Sequence, residues 1–168
     1  MPTSEQPDTM FAAGMQPSFA VEKTMGRLAK WLRLMGFDTL LETDYPAGVF
    51  AGHIGPGRVF LTRTRRALAS HSASRTVFIH ANGPMDQLAE VIHRTALRRE
   101  DLRPFSRCLP CNEPIVAVAK EEIVRVVPDY VFESQGSFSR CPICGRVYWP
   151  GSHTTRGLEK IEEIFEKV

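Results

Sequence analysis

Cys108, Cys111, Cys141 and Cys144 are the four cysteines of this 168-residue chain, and they form two C-x2-C pairs separated by 29 residues. The first 107 residues contain none, whereas a secreted disulfide framework spreads its cysteines through the chain. Two residues between cysteines let one tight turn aim both sulfurs at a single ion, and four thiolates complete the tetrahedral shell of zinc. Pro142 shapes the second turn and Gly145 permits the positive φ that follows it. The spacing predicts a zinc ribbon in which Cys108, Cys111, Cys141 and Cys144 hold a structural Zn²⁺, the intervening segment folding as a hairpin. The alternative is a pair of thiol–disulfide motifs or unpaired core thiols. Zinc binding would help fold a segment too small to hold itself together.

The rest of the chain reads as alternating strands and helices. Short apolar runs at 18–22, 37–41, 58–62 and 75–80 predict strands, and 24–36, 64–72 and 84–99 predict helices. Met25, Leu28, Leu32 and Met35 recur on one helical face, with Thr24 placed to cap that helix and Gly36 to end it. Leu88, Val91, Ile92 and Thr95 form the inward stripe of the third helix. Residues 44–57, rich in Pro and Gly, predict a loop with at most one short helix. This alternation predicts an α/β fold with a doubly wound parallel sheet over residues 18–105. The ribbon follows over 106–168, with a closing helix at about 155–167 that carries Leu158, Ile161, Ile164 and Phe165. Residues 1–17 are expected to be a flexible leader and not a secretory signal, and no run reaches the roughly 18 apolar residues of a membrane span. A cytoplasmic protein with no membrane partner is the expectation.

Charge points to an anionic partner. Residues 18–105 carry 13 Lys+Arg against 8 Asp+Glu, although the whole chain has a net charge of only +2. Arg27, Lys30 and Arg33 lie three residues apart on the first helix and share one broad face, which could track a phosphate backbone. Arg63, Arg65 and Arg66 follow the third strand, in a stretch from 58 to 75 with five Arg and no acid. A plain solvated surface is the alternative for both runs. Ligands of doubly wound sheets bind at the carboxyl ends of strands. Glu22 ends the first strand, Asp38 lies by the second and Asp44 follows it, so the three acids are candidates to hold a divalent ion that activates water. The alternative is that they cap helices or pair with Arg. Arg107, Arg140 and Arg146 flank the cysteine pairs and Tyr148 and Trp149 follow them, a mixture that suits single-stranded RNA. Those rings could equally pack the ribbon onto the main domain.

Three stretches carry a family resemblance. Residues 19–39 (FAVEKTMGRLAKWLRLMGFDT), 58–63 (RVFLTR) and 140–153 (RCPICGRVYWPGSH) resemble the Mut-seven carboxy-terminal ribonuclease domain family, a PIN-like nuclease fold joined to a C-terminal zinc ribbon. The likeness runs from about Phe19 to Phe165. It implies an RNA-directed, metal-dependent ribonuclease that hydrolyses phosphodiesters with clustered acids and Mg²⁺ or Mn²⁺. Two positions depart from the family pattern: Glu22 stands where Asp is usual, and Thr64 stands where an acid commonly follows the third strand. The expected site of Glu22, Asp38 and Asp44 is therefore partly eroded. A non-catalytic RNA-binding module is the alternative, and a protein-interaction scaffold using the ribbon is a third reading.

Overall fold

The computed structural model describes Phe11, residues 14–70 and residues 75–168. Much of the expected leader, and the end of the helix expected at 64–72, lie outside the described residues. Within that leader Phe11 meets Phe19 edge-on at 5.7 Å and Pro17 is buried.

Four strands, β1 (Ser18–Val21), β2 (Asp38–Leu41), β3 (Val59–Thr62) and β4 (Arg75–Phe78), form one parallel sheet in the order β2-β1-β3-β4. Side chains alternate across it, as strand geometry requires. Phe19, Val21, Val59, Leu61, Val77 and Ile79 face one core, and Ala20 and Phe60 face a smaller one with Phe50. The larger core is closed by α1 (Gly26–Leu34), α3 (Pro84–Thr95) and α5 (Ser152–Lys167). On the other face lie α2 (Arg65–Ser70) and the turn at Phe50–His53. The result is a mixed α/β fold with a four-stranded parallel sheet and helices on both faces.

Met25, Leu28, Leu32 and Met35 are all buried, as their spacing predicts. Thr24 does not cap the helix; a 3-10 turn at Lys23–Met25 precedes α1, and the Thr24 hydroxyl donates to Glu22 instead. Gly36 ends the helix at φ +95°, and a Cβ there would sit 2.2 Å from the Arg103 carbonyl oxygen, so both conformation and space require glycine. In α5, Ile161 and Ile164 enter the core as expected, but Leu158 stays 40% exposed. The helix packs on α3, with Arg99 paired to Glu162 and lying over the Phe165 ring.

The ribbon is an antiparallel sheet, order β5-β6-β7, of β5 (Val116–Val118), β6 (Phe138–Arg140) and β7 (Val147–Tyr148). Its own core is small: Ile123, Val127, Val131 and Phe138, with α4 (Asp129–Ser134) contributing Val131.

Candidate nucleic-acid cleft and metal knuckles

The strand order reverses between β1 and β3, and a crevice outside their carboxyl ends follows from that topology. A cleft of about 720 Å³ opens there, lined by Arg27, Lys30, Arg33 and Arg63, with Asn82, Leu109 and Pro110 among its other walls. Among the described residues its one acidic lining residue, Asp44, is paired with Arg33 at 2.6 Å. The first residues of α1 and α3, Gly26 and Pro84, also line it, and neither helix has a side-chain cap. The N-terminal end of a helix dipole is positive, which adds to the cationic field of the cleft. Arg63 donates to the Asn82 side chain at 2.6 Å, which fixes it against the α3 end of the cleft.

Glu22 sits at the switch point itself. Its carboxylate accepts from the Thr62 hydroxyl, from the Arg63 backbone N–H at 3.0 Å and from the Thr24 hydroxyl at 2.9 Å. Burial pushes its pKa up, but these hydrogen bonds, joined by the Thr64 side chain, outweigh burial and hold it below the ordinary value. One carboxylate oxygen, Oε2, thus ties the end of β1 to Thr62 and the turn after β3, and Oε1 is held by Thr24 in the turn after β1.

Asp38 does not join Glu22. It is the first residue of β2, opposite Ser18 in register, four residues of strand before the level of Glu22, or roughly 13 Å at ~3.3 Å per residue. There it pairs with Arg58 at 2.9 Å and accepts from Asn112 at 2.7 Å. Burial raises its pKa, but those two partners lower it below the ordinary value. Asp44 does lie at the carboxyl edge, held by Arg33. Glu42, which sequence alone does not single out, follows β2 directly and accepts the Lys23 N–H at 2.9 Å. Its position immediately after the strand is the signal that could have found it. Among the described residues the one group of three or more metal-ligating side chains is the four-cysteine cluster. Asp38 therefore stands apart from the sheet-edge carboxylates, and Glu22, Glu42 and Asp44 are already engaged by donors or a cation and would have to give these up to an ion.

Arg27 and Lys30 are exposed on the cleft wall. Arg33 corrects the idea of a shared basic face. It is 2% exposed, and its donors are spent on Thr39 O, Leu109 O, Pro110 O and Asp44. Steps of three residues rotate around a helix, and the second step, from Lys30, carries Arg33 inward. Arg65 and Arg66 are exposed on α2 and are not among the cleft-lining residues.

The four cysteine sulfurs lie within 4.8 Å of one another, close enough to hold one metal ion such as zinc. Each pair closes a tight turn: Asn112 N–H returns to Cys108 O at 2.8 Å and Gly145 N–H to Cys141 O at 3.0 Å. The residue after each second cysteine takes a left-handed conformation, Asn112 at φ +63° and Gly145 at +71°. Asn tolerates that region, so Cys-x2-Cys-Asn is the counterpart of Cys-x2-Cys-Gly, a signal that the spacing argument leaves out. The Tyr148 hydroxyl donates to Cys108 Sγ at 3.1 Å and accepts the Leu109 N–H at 3.3 Å. Trp149 packs against the ribbon core. Both rings thus serve the ribbon. Crowding shifts the thiols apart: Cys111 is pushed up to about 12 by Cys144 and by its other neighbours, while the Arg146 backbone N–H pulls Cys144 down to about 7. A cation among them relieves that conflict, because it stabilises every thiolate at once.

Among the described residues no helix is long and apolar enough to cross a membrane. Comparison with curated proteins and with solved structures returns no match. The family model described as "Mut7-C RNAse domain" matches residues 17–161, nearly the whole chain, and takes in the cleft, the switch point and both cysteine pairs. The chain belongs to the Mut7-C RNAse domain family.

Proposed function

We propose that the protein binds single-stranded RNA in the cleft at the carboxyl edge of the sheet, on a PIN-like scaffold. The carrying observation is the lining: Arg27, Lys30 and Arg63 line the cleft, and its one acid is neutralised by Arg33. The first residues of α1 and α3 line the same space, so the positive ends of both helix dipoles add to the field that backbone phosphates would meet. The described lining offers cations and no aromatic ring for a base to stack on, so affinity should come from counterion release and depend steeply on salt. Glu22 anchors the backbone of the cleft-lining Arg63, and its charge orients that backbone while the Arg63 side chain meets the ligand. The ribbon thiols hold one structural Zn²⁺, and Tyr148 fixes the Cys108 sulfur.

The second reading is a divalent-metal-dependent ribonuclease. Family membership favours it, as does the position of Glu22, Glu42 and Asp44 at one sheet edge. It requires Arg33 to surrender Asp44 and Glu22 to exchange donors for an ion. RNA binding in a chelator-containing buffer, followed by a cleavage assay with added Mn²⁺, separates the two. The first reading predicts binding without divalent ions and no cleavage above a Glu22→Gln control. Mn²⁺-dependent cleavage lost in Glu22→Gln would establish the second.

A further inference from the structure

Arg33 joins α1 to β2, to the turn after β2 and to the first cysteine pair, 76 residues downstream. Its Nε donates to Thr39 O in β2 at 2.9 Å, one terminal nitrogen to Leu109 O and Pro110 O at 2.8 and 3.0 Å, and the other to Asp44 at 2.6 Å. Leu109 and Pro110 are the two residues between Cys108 and Cys111, and they also line the cleft. The first cysteine turn is therefore a wall of the cleft. Asn112 ties it down again: its Oδ1 accepts the Thr39 N–H at 2.9 Å and its Nδ2 donates to Asp38 at 2.7 Å. In the closed turn both the Leu109 and Pro110 carbonyls reach Arg33, and four sulfurs crowded within 4.8 Å favour closure when a cation sits among them.

We infer that metal occupancy of the ribbon and ligand occupancy of the cleft are linked equilibria, with Arg33 and Asn112 as the positioning residues that couple them. The identity of the cleft ligand rests on the RNA reading above. A metal-bound turn presents Leu109 and Pro110 as a fixed wall and keeps Arg33 on Asp44. A metal-free turn releases both, and Asp44 then adds an unpaired negative charge to a cleft that must take phosphate. Linkage is reciprocal, so RNA must tighten zinc by the factor by which zinc tightens RNA.

Zinc affinity of the full chain, read by competition with a chromogenic chelator, tests this with and without a saturating mixed-sequence single-stranded RNA oligonucleotide. The expected result is tightening of about five-fold or more, the lower range of allosteric coupling. Anisotropy should show the metal-free protein binding the oligonucleotide more weakly by the same factor. Arg33→Gln should bring the factor toward one. Asn112→Gly, which suits the left-handed backbone and removes only the side-chain tether, should reduce it while the protein stays folded. A lesion that merely loosens the fold lowers both affinities and leaves the factor intact. A factor of one in the parent protein, with RNA bound, overturns the inference. If the oligonucleotide does not bind, the RNA reading fails, and the coupling is read from amide exchange on zinc removal. The Thr39 amide, held by Asn112, should lose protection about ten-fold or more, while the Ile79 amide, held by Thr62 O on the far side of the sheet, keeps it. Unchanged Thr39 protection overturns the inference in that case.

Discussion

Replacing Glu22 with Gln keeps the shape of the side chain and removes its charge, which isolates what that charge does at the switch point. The carboxylate accepts from Thr62, the Arg63 backbone and Thr24. Gln can still accept on one side, and its amide can donate to the Thr24 oxygen, so no buried donor is stranded. What disappears is charge assistance on the Thr62 and Arg63 bonds. Hydrogen bonds to charged groups contribute ~1.5–3 kcal/mol against ~0.5–1.5 for neutral ones, so the substitution should cost about 1–3 kcal/mol. That is a sizeable share of the ~5–15 kcal/mol that holds a typical domain. The pH dependence follows from the direction of the shift. The Glu22 pKa is lower in the folded state than its ordinary value, so its contribution is complete above about 4.5 and fades as pH falls through the lowered folded value. Urea denaturation of parent and variant, both zinc-saturated, should give the full difference at neutral pH and a shrinking one below pH ~4.5. Taking differences at each pH cancels the acid loss of zinc common to both. An equal difference at neutral and acid pH, or none at neutral pH, would refute the anchoring role.

Other outcomes follow from the same geometry. Protein purified without added metal should carry one zinc per chain by elemental analysis, and Cys141→Ser should lower the melting temperature of the ribbon most, because it leaves the shell incomplete. Thr64→Asp places a second carboxylate beside Glu22; apo protein should lose stability at neutral pH, and Mn²⁺ should restore it by mass action, both read by thermal denaturation. Gly36→Ala should destabilise by about 2 kcal/mol or more in urea, since the Arg103 backbone must move to admit a methyl group.

The sheet was legible because each strand is a short apolar run that a helix-length segment follows, and a parallel sheet buries both faces. The cysteine pairs were legible because ligand geometry dictates their spacing. The acid site was not, for a physical reason. Periodicity tells which strand a residue belongs to but not which end of it matters until register is known, and register put Asp38 opposite Ser18 rather than near Glu22. The burial of Arg33 is hidden from the sequence for a related reason. Spacing along the helix does not distinguish a buried arginine from an exposed one three residues away, and two of the acceptors that hold it inward are carbonyls 76 and 77 residues downstream. Asn112 and Glu42 carried readable signals: a left-handed position after a cysteine pair, and the first place after a strand.

The central claim is that Arg27, Lys30 and Arg63 hold an RNA backbone in the cleft. The most direct test is the salt dependence of single-stranded RNA binding, measured by anisotropy in chelator-containing buffer, for the parent and for Arg27→Gln/Lys30→Gln/Arg63→Gln. The expected result is weaker binding by the triple variant, with a log–log salt slope shallower by about 2, because each of the three cations neutralises one phosphate and each phosphate on a single strand accounts for ~0.7 of the slope. A triple variant with unchanged affinity and slope would contradict the account and move the interface out of the cleft.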